Sequence, residues 1–304
     1  MARDKPAGAA ATGETGAASR SSVLPAGVRA RLRGDIAFRA LVFLLSLLAT
    51  LPLLLILVFV IARGASSITW QFLTELPKPM GEAGGGIANA IIGTLLIVLG
   101  ASVISIPLGL LVGVFLAESS RSRVGTVARV SVETLMGIPS IVIGLVSYVW
   151  VVRPMGHFSA VSGSIALAMI MLPVITLTTE ETLRMIPVTL REAALALGVS
   201  YPRTVLRVIL PAGLSGILTG VLLAVSRGAG ETAPLLFTAL GSPYLTANVL
   251  QPMASLPQTI FYYATSPYPE WQTLAWGASF VLLVIVLALN LVTKLITSRW
   301  RIQF

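Results

Sequence analysis

Six long apolar runs dominate the sequence and restrict the fold more than any other feature. They cover roughly residues 39–62, 88–117, 128–152, 161–179, 208–230 and 273–297. A helix needs about 20 mostly apolar residues to cross a bilayer, and irregular backbone cannot face lipid because its polar groups would lack partners. Only 11% of the 304 residues are charged, against about 25% in soluble domains. We therefore predict an all-α, polytopic membrane protein with six transmembrane helices.

The positive charges predict the orientation of these helices. Of the 21 Lys and Arg residues, 17 fall in segments on the side of the N-terminus, while Arg63, Lys78 and Arg153 fall on the other side and Arg227 lies inside the fifth run. Because short loops rich in Lys and Arg stay in the cytoplasm, both termini are predicted to be cytoplasmic. The net charge of +9 is thereby explained without a nucleic-acid partner.

The segments outside the helices predict the domain organisation. Residues 1–34, rich in small and polar residues near their start, are expected to be a disordered cytoplasmic tail. Residues 35–87 are expected to form an accessory first transmembrane helix and an outer loop. The core follows at 88–297, with five helices and a polar loop at about 180–207, and 298–304 form a cytoplasmic C-terminal end. Within the core, the proline-rich segment after the fifth run lacks Lys and Arg, which favours a segment that re-enters or caps the bundle.

The composition excludes several kinds of site. The chain has no cysteine and one histidine, His157, so we predict no metal site. It contains no G-x-x-x-x-G-K-[ST] run, the loop that cradles phosphates in many ATPases. No paired acids or nucleophile with a base stand out in the apolar runs. We therefore predict a chain that is not an enzyme and does not hydrolyse ATP.

A polar island, REAALALGVSYPRTVLRVILP, occupies residues 191–211. Pro187, just before it, suits the first turn of a helix, and Gly198 can end that helix in a left-handed conformation. Ser200 can cap a second helix, which continues into the fifth apolar run. These residues predict a surface helix, a turn and a helix entering the bilayer, an arrangement suited to docking on a soluble partner. The alternative is a solvated loop.

Arg227 and Glu231 stand out because they are charged residues in the outer part of the fifth run. A spacing of four places them on one helix face, and charges at membrane depth usually face a cavity or pathway. The planar guanidinium can contact two oxygens of an oxyanion such as phosphate or sulfate. We interpret the pair as part of a substrate pathway, and an ion pair that only fixes helix packing is the alternative. Glu118, near the inner end of the second run, is expected to be interfacial or to pair with Arg121 or Arg129.

Three prolines, Pro107, Pro139 and Pro173, lie inside apolar runs. Proline removes a backbone donor and clashes with the preceding turn, so each is expected to kink its helix. These kinks are candidate hinges for alternating access. The alternative interpretation is an irregularity that helix packing tolerates.

Two of these segments resemble a known family. The spacing E-A-A-x3-G-x9-V-x-L-P, from Glu192 to Pro211, resembles the EAA loop of ABC-importer permeases, with Val208 where isoleucine is usual. The strings G-E-T-A-P-L at 230–235 and G-I-P-S at 137–140 are similar to the PstA family, permease subunits of phosphate-specific ABC importers. The resemblance covers roughly residues 40–300.

This resemblance implies a type I ABC-importer (MetI-like) permease fold. The implied function is a subunit forming half of the pathway for inorganic phosphate across the bacterial cytoplasmic membrane. Residues implied in coupling to an ATPase are Glu192, Ala193, Ala194 and Gly198. Residues implied in the substrate pathway are Arg227, Glu231 and Thr232.

The resemblance also implies the partners. They are a homologous PstC-like permease, two copies of a PstB-like ATPase that binds ATP and Mg²⁺, an extracytoplasmic PstS-like phosphate-binding protein, and membrane lipid. This chain itself is expected to hold no cofactor. A permease for another oxyanion or small solute remains an alternative, as does a membrane sensor or scaffold that transports nothing.

Overall fold

The computed structural model describes residues 26–82, 84–119 and 122–299. Its helices are, in chain order, α1 (Ala26–Gly64), α2 (Trp70–Thr74), α3 (Ala88–Glu118), α4 (Arg123–Gly137), α5 (Ser140–Ser147), α6 (Arg153–Met155), α7 (Ala160–Arg184), α8 (Val188–Ala196), α9 (Tyr201–Thr204), α10 (Leu210–Ala212), α11 (Leu214–Ala229), α12 (Ala233–Leu236), α13 (Leu256–Ala264) and α14 (Pro269–Arg299). A 3-10 turn, Ala65–Ser67, follows α1, and π-helical turns at Tyr148–Val152 and Val205–Ile209 precede α6 and α10. The described residues form no β-strand, and the predicted all-α class is confirmed.

Four helices are long and apolar enough to cross a membrane by themselves. They are α1 with the turn after it (Gly34–Ser67), α3, α7 and most of α14 (Pro269–Val292). Two further stretches qualify only as bent pairs, Arg123–Gly137 with Ser140–Met155 and Tyr201–Ala212 with Leu214–Ala229. Counting each pair as one broken span gives six, in agreement with the six apolar runs.

The third apolar run is a broken span rather than one straight helix. Its two halves, α4 and α5–α6, meet at 104°. Ile138 is extended, with φ −74° and ψ 130°, because a residue before proline is driven out of the helical region, and Pro139 then precedes the first residue of α5. Pro107 and Pro173 lie instead inside continuous helices, α3 and α7. A hinge role for the three prolines stays a prediction.

Helix α7 is the most buried of the four long helices. Its most apolar window is 72% buried, compared with 28% for α3 and 17% for α14. It packs against α3 and α11, and small residues allow close approach on both sides. A Cβ added at Gly113 of α3 would lie 2.6 Å from Cβ of Thr179, and one at Gly220 of α11 would lie 2.0 Å from Oγ1 of Thr178. Helices α3, α7 and α11 therefore form one packed group.

The segment after α11 folds back into the bundle, as its composition suggested. Ser255, Leu256 and Gln258 are almost completely buried. Nε2 of Gln258 donates to the carbonyl oxygen of Leu235 at 2.8 Å, and the Leu256 amide donates to Oγ1 of Thr94 at 2.8 Å. Such bonds satisfy backbone groups at the ends of short helices, which have no partner within their own helix.

The chain divides into two compact units, Met1–Ile56 and Leu57–Phe304. In the first, α1 already begins at Ala26, so the prediction of a disordered tail as far as residue 34 is wrong for 26–34. Several Arg, Ala and Leu residues there favour helix, and Asp35 pairs with Arg39 at 2.8 Å one turn later. Residues 1–25 and 300–304, which hold the rest of the tail and most of the C-terminal end, lie outside the described residues.

Candidate functional site

The polar island folds as a helical hairpin that comprises α8, a turn, α9 and α10. Helix α8 starts directly after Pro187, and Gly198 follows its end with φ +79°. The Gly198 amide donates to the carbonyl oxygen of Leu195 at 2.9 Å, and the Val199 amide donates to that of Ala194 at 3.2 Å. Glycine takes this left-handed conformation without strain and so closes the helix. The helix, the glycine turn and the second helix that the sequence predicted are all present.

The outer surface of α8 and of the turn after it is mostly apolar, whereas Arg203 and Arg207 are exposed farther along the hairpin. Among the predicted coupling residues, Glu192, Ala193 and Gly198 are exposed. Ala194 is only 7% exposed, so it packs against its own chain, and its role in coupling stays a prediction. Large apolar side chains are exposed beside them: Val188, Leu195 and Leu197, the last at 85%. An apolar surface of this kind, with one carboxylate, suits docking on another protein.

Three residues, Glu118, Arg191 and Tyr201, join the hairpin to the end of α3, and we call them the Glu118 clamp. Nη1 and Nη2 of Arg191 donate to Oε2 and Oε1 of Glu118, both at 2.7 Å. The hydroxyl of Tyr201 also donates to Oε2, and Nη1 of Arg191 donates to that hydroxyl at 3.1 Å. Bidentate pairs of this kind are among the stronger hydrogen-bonded contacts in proteins.

The partner that Glu118 has in the structure is an arginine that the sequence did not indicate. Arg191 lies 73 positions from Glu118 in the sequence, and only the fold brings the two together. Arg129 instead contacts a different carboxylate, and Arg121 lies outside the described residues.

Glu180 of α7 is a buried acid that the sequence analysis did not identify. Its side chain is 2% exposed, and its Oε1 contacts Nη2 of Arg129 from α4 and lies 2.9 Å from Nη2 of Arg184. These contacts are ion pairs without hydrogen-bond geometry at Oε1. A buried carboxylate needs such cations to remain charged. The available signal was the spacing of four between Glu180 and Arg184 at the inner end of an apolar run.

Arg227 and Glu231 contact each other at the end of α11. Nε of Arg227 lies 3.6 Å from Oε1 of Glu231. The helix ends at Ala229 with Gly230 as its C-cap. Glu231 therefore lies beyond the helix, and the prediction that it shares a helix face with Arg227 is wrong. Glycine has poor helix propensity, which accounts for this early end. Thr232, the third predicted pathway residue, is half-buried and directly precedes α12.

Arg227 lies beside the break in the third span. Arg227, Ile138 and Ser140 line a cavity of about 10 Å³, together with Leu135, Met136, Ile143 and Ile170. Such a cavity has room for about one water molecule. On the other side, Pro234 packs so closely on α5 that a Cβ at Gly144 would lie 2.7 Å from its Cα. The G-I-P-S and G-E-T-A-P-L strings are therefore neighbours in the fold.

Comparison with known families and proteins places this arrangement among transport proteins. The family described as "Binding-protein-dependent transport system inner membrane component" matches residues 105–302. "Phosphate transport system permease protein PstA" of Yersinia pestis is 44% identical over 248 residues, which cover 81% of this chain and 84% of that protein. The protein of the same description in Haemophilus influenzae is 42% identical and covers 79% and 85%. A "probable" PstA of Methanocaldococcus jannaschii is 37% identical and covers 85% and 92%.

Solved structures share the fold. The MetNI methionine ABC transporter, in an inward-facing conformation, contains a chain that matches 71% of this one and 96% of its own length, with a TM-score of 0.62 and 19% identity. An amino acid ABC transporter matches 70% and 92%, with a TM-score of 0.52 and 18% identity. At this level of identity the likeness concerns the fold alone, and it confirms the predicted MetI-like permease fold.

Proposed function

The chain belongs to the family of binding-protein-dependent transport system inner membrane components, and we propose that it supplies half of the pathway by which inorganic phosphate enters the cell. Within that family it is a PstA-type permease, a subunit of a phosphate ABC importer. The observation that carries the half-pathway proposal is the position of Arg227. Its side chain is 47% exposed, and it ends an exposed face of α11 that also holds Thr219 and Leu223 at a spacing of four residues.

The depth of Arg227 argues for a pathway. It lies 13 residues after Leu214, the first residue of α11, or about 20 Å along the helix. A charge at such a depth is costly when it faces lipid, and it usually faces water or a protein partner. The guanidinium can hold two oxygens of phosphate at once. We infer that Arg227 meets the anion during its passage.

Glu231 suits a site that must also release its anion. Its carboxylate lies 3.6 Å from Nε of Arg227, which is a loose ion pair rather than a short hydrogen bond. A pathway site has to bind firmly enough for entry and weakly enough for exit. Glu231 holds the guanidinium in place between passages, and its negative charge opposes long residence of phosphate beside it. Thr232, next in the chain, offers a hydroxyl to the same anion.

Half a pathway requires partners. The part of Arg227 that this chain leaves uncovered faces a homologous, PstC-like permease, and the two subunits enclose the passage. Both termini and the hairpin are cytoplasmic, in accordance with the distribution of Lys and Arg. Two PstB-like ATPases dock on the hairpins and bind ATP and Mg²⁺, so this chain is non-catalytic and holds no cofactor. An extracytoplasmic PstS-like protein delivers phosphate on the other side.

Uptake of labelled phosphate tests the pathway role. Cells whose only copy carries Arg227→Gln are expected to take up phosphate roughly tenfold more slowly or worse, the loss that one charged hydrogen bond predicts. Glu231→Gln is expected to slow uptake less. Arg153→Gln is the matched control, because Arg153 is an exposed arginine in α6 away from the proposed passage. Normal uptake by both pathway variants, at normal amounts in the membrane, contradicts the role.

A further inference from the structure

The direct connection between the hairpin and Arg227 is bent. Helices α9 and α10 form one stretch with the π-turn between them, and this stretch meets α11 at 69°. The π-turn has one more residue per hydrogen-bonded ring than an α-helix, and such turns often mark functional sites in helices. A bent joint next to a π-turn transmits force less directly than a straight helix. Besides this joint, where Ile209 of the π-turn shares a core cluster with Ile217 of α11, the hairpin has a second route to α11.

The Glu118 clamp provides such a route. Glu118 is the last residue of α3, Arg191 lies in the middle of α8, and Tyr201 is the first residue of α9, so one carboxylate holds both arms of the hairpin. The clamp is largely shielded, because the Glu118 side chain is 13% exposed and that of Arg191 is 27% exposed. Shielding makes a charged contact stronger and less sensitive to salt.

From the clamp, contact continues without a gap to the helix that carries Arg227. Helix α3 packs along α7, with Gly113 against Thr179. Helix α7 packs along α11, with Gly220 against Thr178. Closely packed helices move as rigid bodies because protein interiors compress little.

We propose that Glu118 is a positioning residue for transport, which locks the hairpin to α3 so that α3 and α7 carry its movement to α11. This inference rests on the proposed function, since the movement begins only when an ATPase docks on the hairpin. The hairpin remains joined to α7 and α11 by the chain itself when the clamp is lost. Loss of the clamp therefore leaves docking and ATP hydrolysis intact and uncouples them from transport.

The first experiment measures phosphate imported per ATP hydrolysed by the reconstituted complex in vesicles. Glu118→Gln and Arg191→Gln are each expected to lower this ratio roughly tenfold or more, the factor that loss of a charged hydrogen bond predicts. The amount of copurified ATPase stays normal, which a damaged fold would not allow. Glu133→Gln is the matched control, because Glu133 is an exposed carboxylate on α4.

A charge exchange identifies the pair as the cause. The double variant Glu118→Arg with Arg191→Glu recreates the ion pair in reverse. It is expected to recover most of the unmodified complex's ratio of phosphate imported to ATP hydrolysed. Tyr201→Phe removes only one hydroxyl and is expected to have an intermediate effect. A normal ratio in Glu118→Gln overturns the proposal. The proposal is also overturned if both single variants lower the phosphate-to-ATP ratio and the charge exchange does not restore it, because the two residues then act separately.

A second measurement separates the clamp from the proposed function. The chain has no cysteine, so spin labels at Leu206→Cys in the π-turn of the hairpin and Val103→Cys on α3, both exposed, report the distance between the hairpin and α3. With Glu118 present, one narrow distance is expected with and without ATP, and Glu118→Gln broadens or shifts it. An unchanged distribution overturns the clamp whether or not phosphate is imported. Failure of the unmodified complex to import phosphate contradicts the proposed function instead.

Discussion

In the ion pairs of Glu180, the carboxylate is buried more deeply than the two arginines that contact it. Its carboxylate is nearly inaccessible, whereas the side chains of Arg129 and Arg184 are 31% and 37% exposed. Taking a charge out of water is costly, so an ion pair of this kind adds little net stability. Removing a cation, however, leaves the buried carboxylate short of a partner. Removing the carboxylate leaves two arginines that water still reaches.

This asymmetry gives a prediction with matched substitutions. Arg129→Gln is expected to lower the free energy of unfolding by up to about 3 kcal/mol, because a buried charge loses one of its partners. Glu180→Gln keeps the shape and removes the buried charge, so its cost is expected to be below about 1 kcal/mol, because water reaches both arginines that lose their partner. Unfolding of the purified chain in mixed micelles by a denaturing detergent measures both. A larger loss for Glu180→Gln than for Arg129→Gln contradicts the prediction.

The turn after α8 decides the direction in which the hairpin leaves that helix. Gly198 has φ +79°, and a Cβ there would meet nothing within 4 Å. A substitution at this position is therefore strained by the backbone conformation and not by crowding. Gly156, after α6, has φ +76° and the same open surroundings. The two glycines form a matched pair, of which only one lies in the hairpin.

Valine at these positions separates the shape of the hairpin from general stability. A β-branched residue at positive φ costs roughly 1–3 kcal/mol, so Gly198→Val and Gly156→Val are expected to destabilise the chain equally. Only Gly198→Val is expected to lose copurification with the ATPase, since it redirects the proposed docking surface. Membrane insertion is expected to be normal in both. Equal retention of the ATPase by the two variants argues against docking at α8.

Helices and local turns were predictable from the sequence because their signals are local. The six apolar runs, the hairpin and its Gly198 turn depend on composition and on a few residues in sequence, and all are present. The 104° break at Pro139 was expected only as a kink, since its angle depends on the packing of α5 against α12. The end of α11 before Glu231 was missed because helix spacing was extended through glycines. The Glu118–Arg191 pair joins residues far apart in the sequence, and no local pattern predicts such a contact.

For the whole molecule, the arrangement requires that the two ends of α7 lie on opposite faces of the membrane. The helix has 25 residues, or about 37 Å at 1.5 Å per residue, which exceeds the roughly 30 Å hydrocarbon core. His157 lies shortly before the start of α7, and the hairpin follows the end of α7. A probe confined to one face of the membrane therefore reaches either His157 or the hairpin, but not both. The excess of Lys and Arg on the hairpin side predicts that this side is cytoplasmic.

Single cysteines in the cysteine-free chain test this orientation directly. Leu197→Cys in the hairpin and His157→Cys, both at exposed positions, provide one site for each face. In right-side-out vesicles, an impermeant maleimide is expected to label His157→Cys and to spare Leu197→Cys, and inverted vesicles reverse the pattern. Bound ATPase is expected to protect Leu197→Cys from labelling, because Leu197 belongs to the proposed docking surface. Labelling of Leu197→Cys from the outside would remove the physical basis for ATP-driven transport by this chain, since ATP and its ATPase are found only in the cytoplasm.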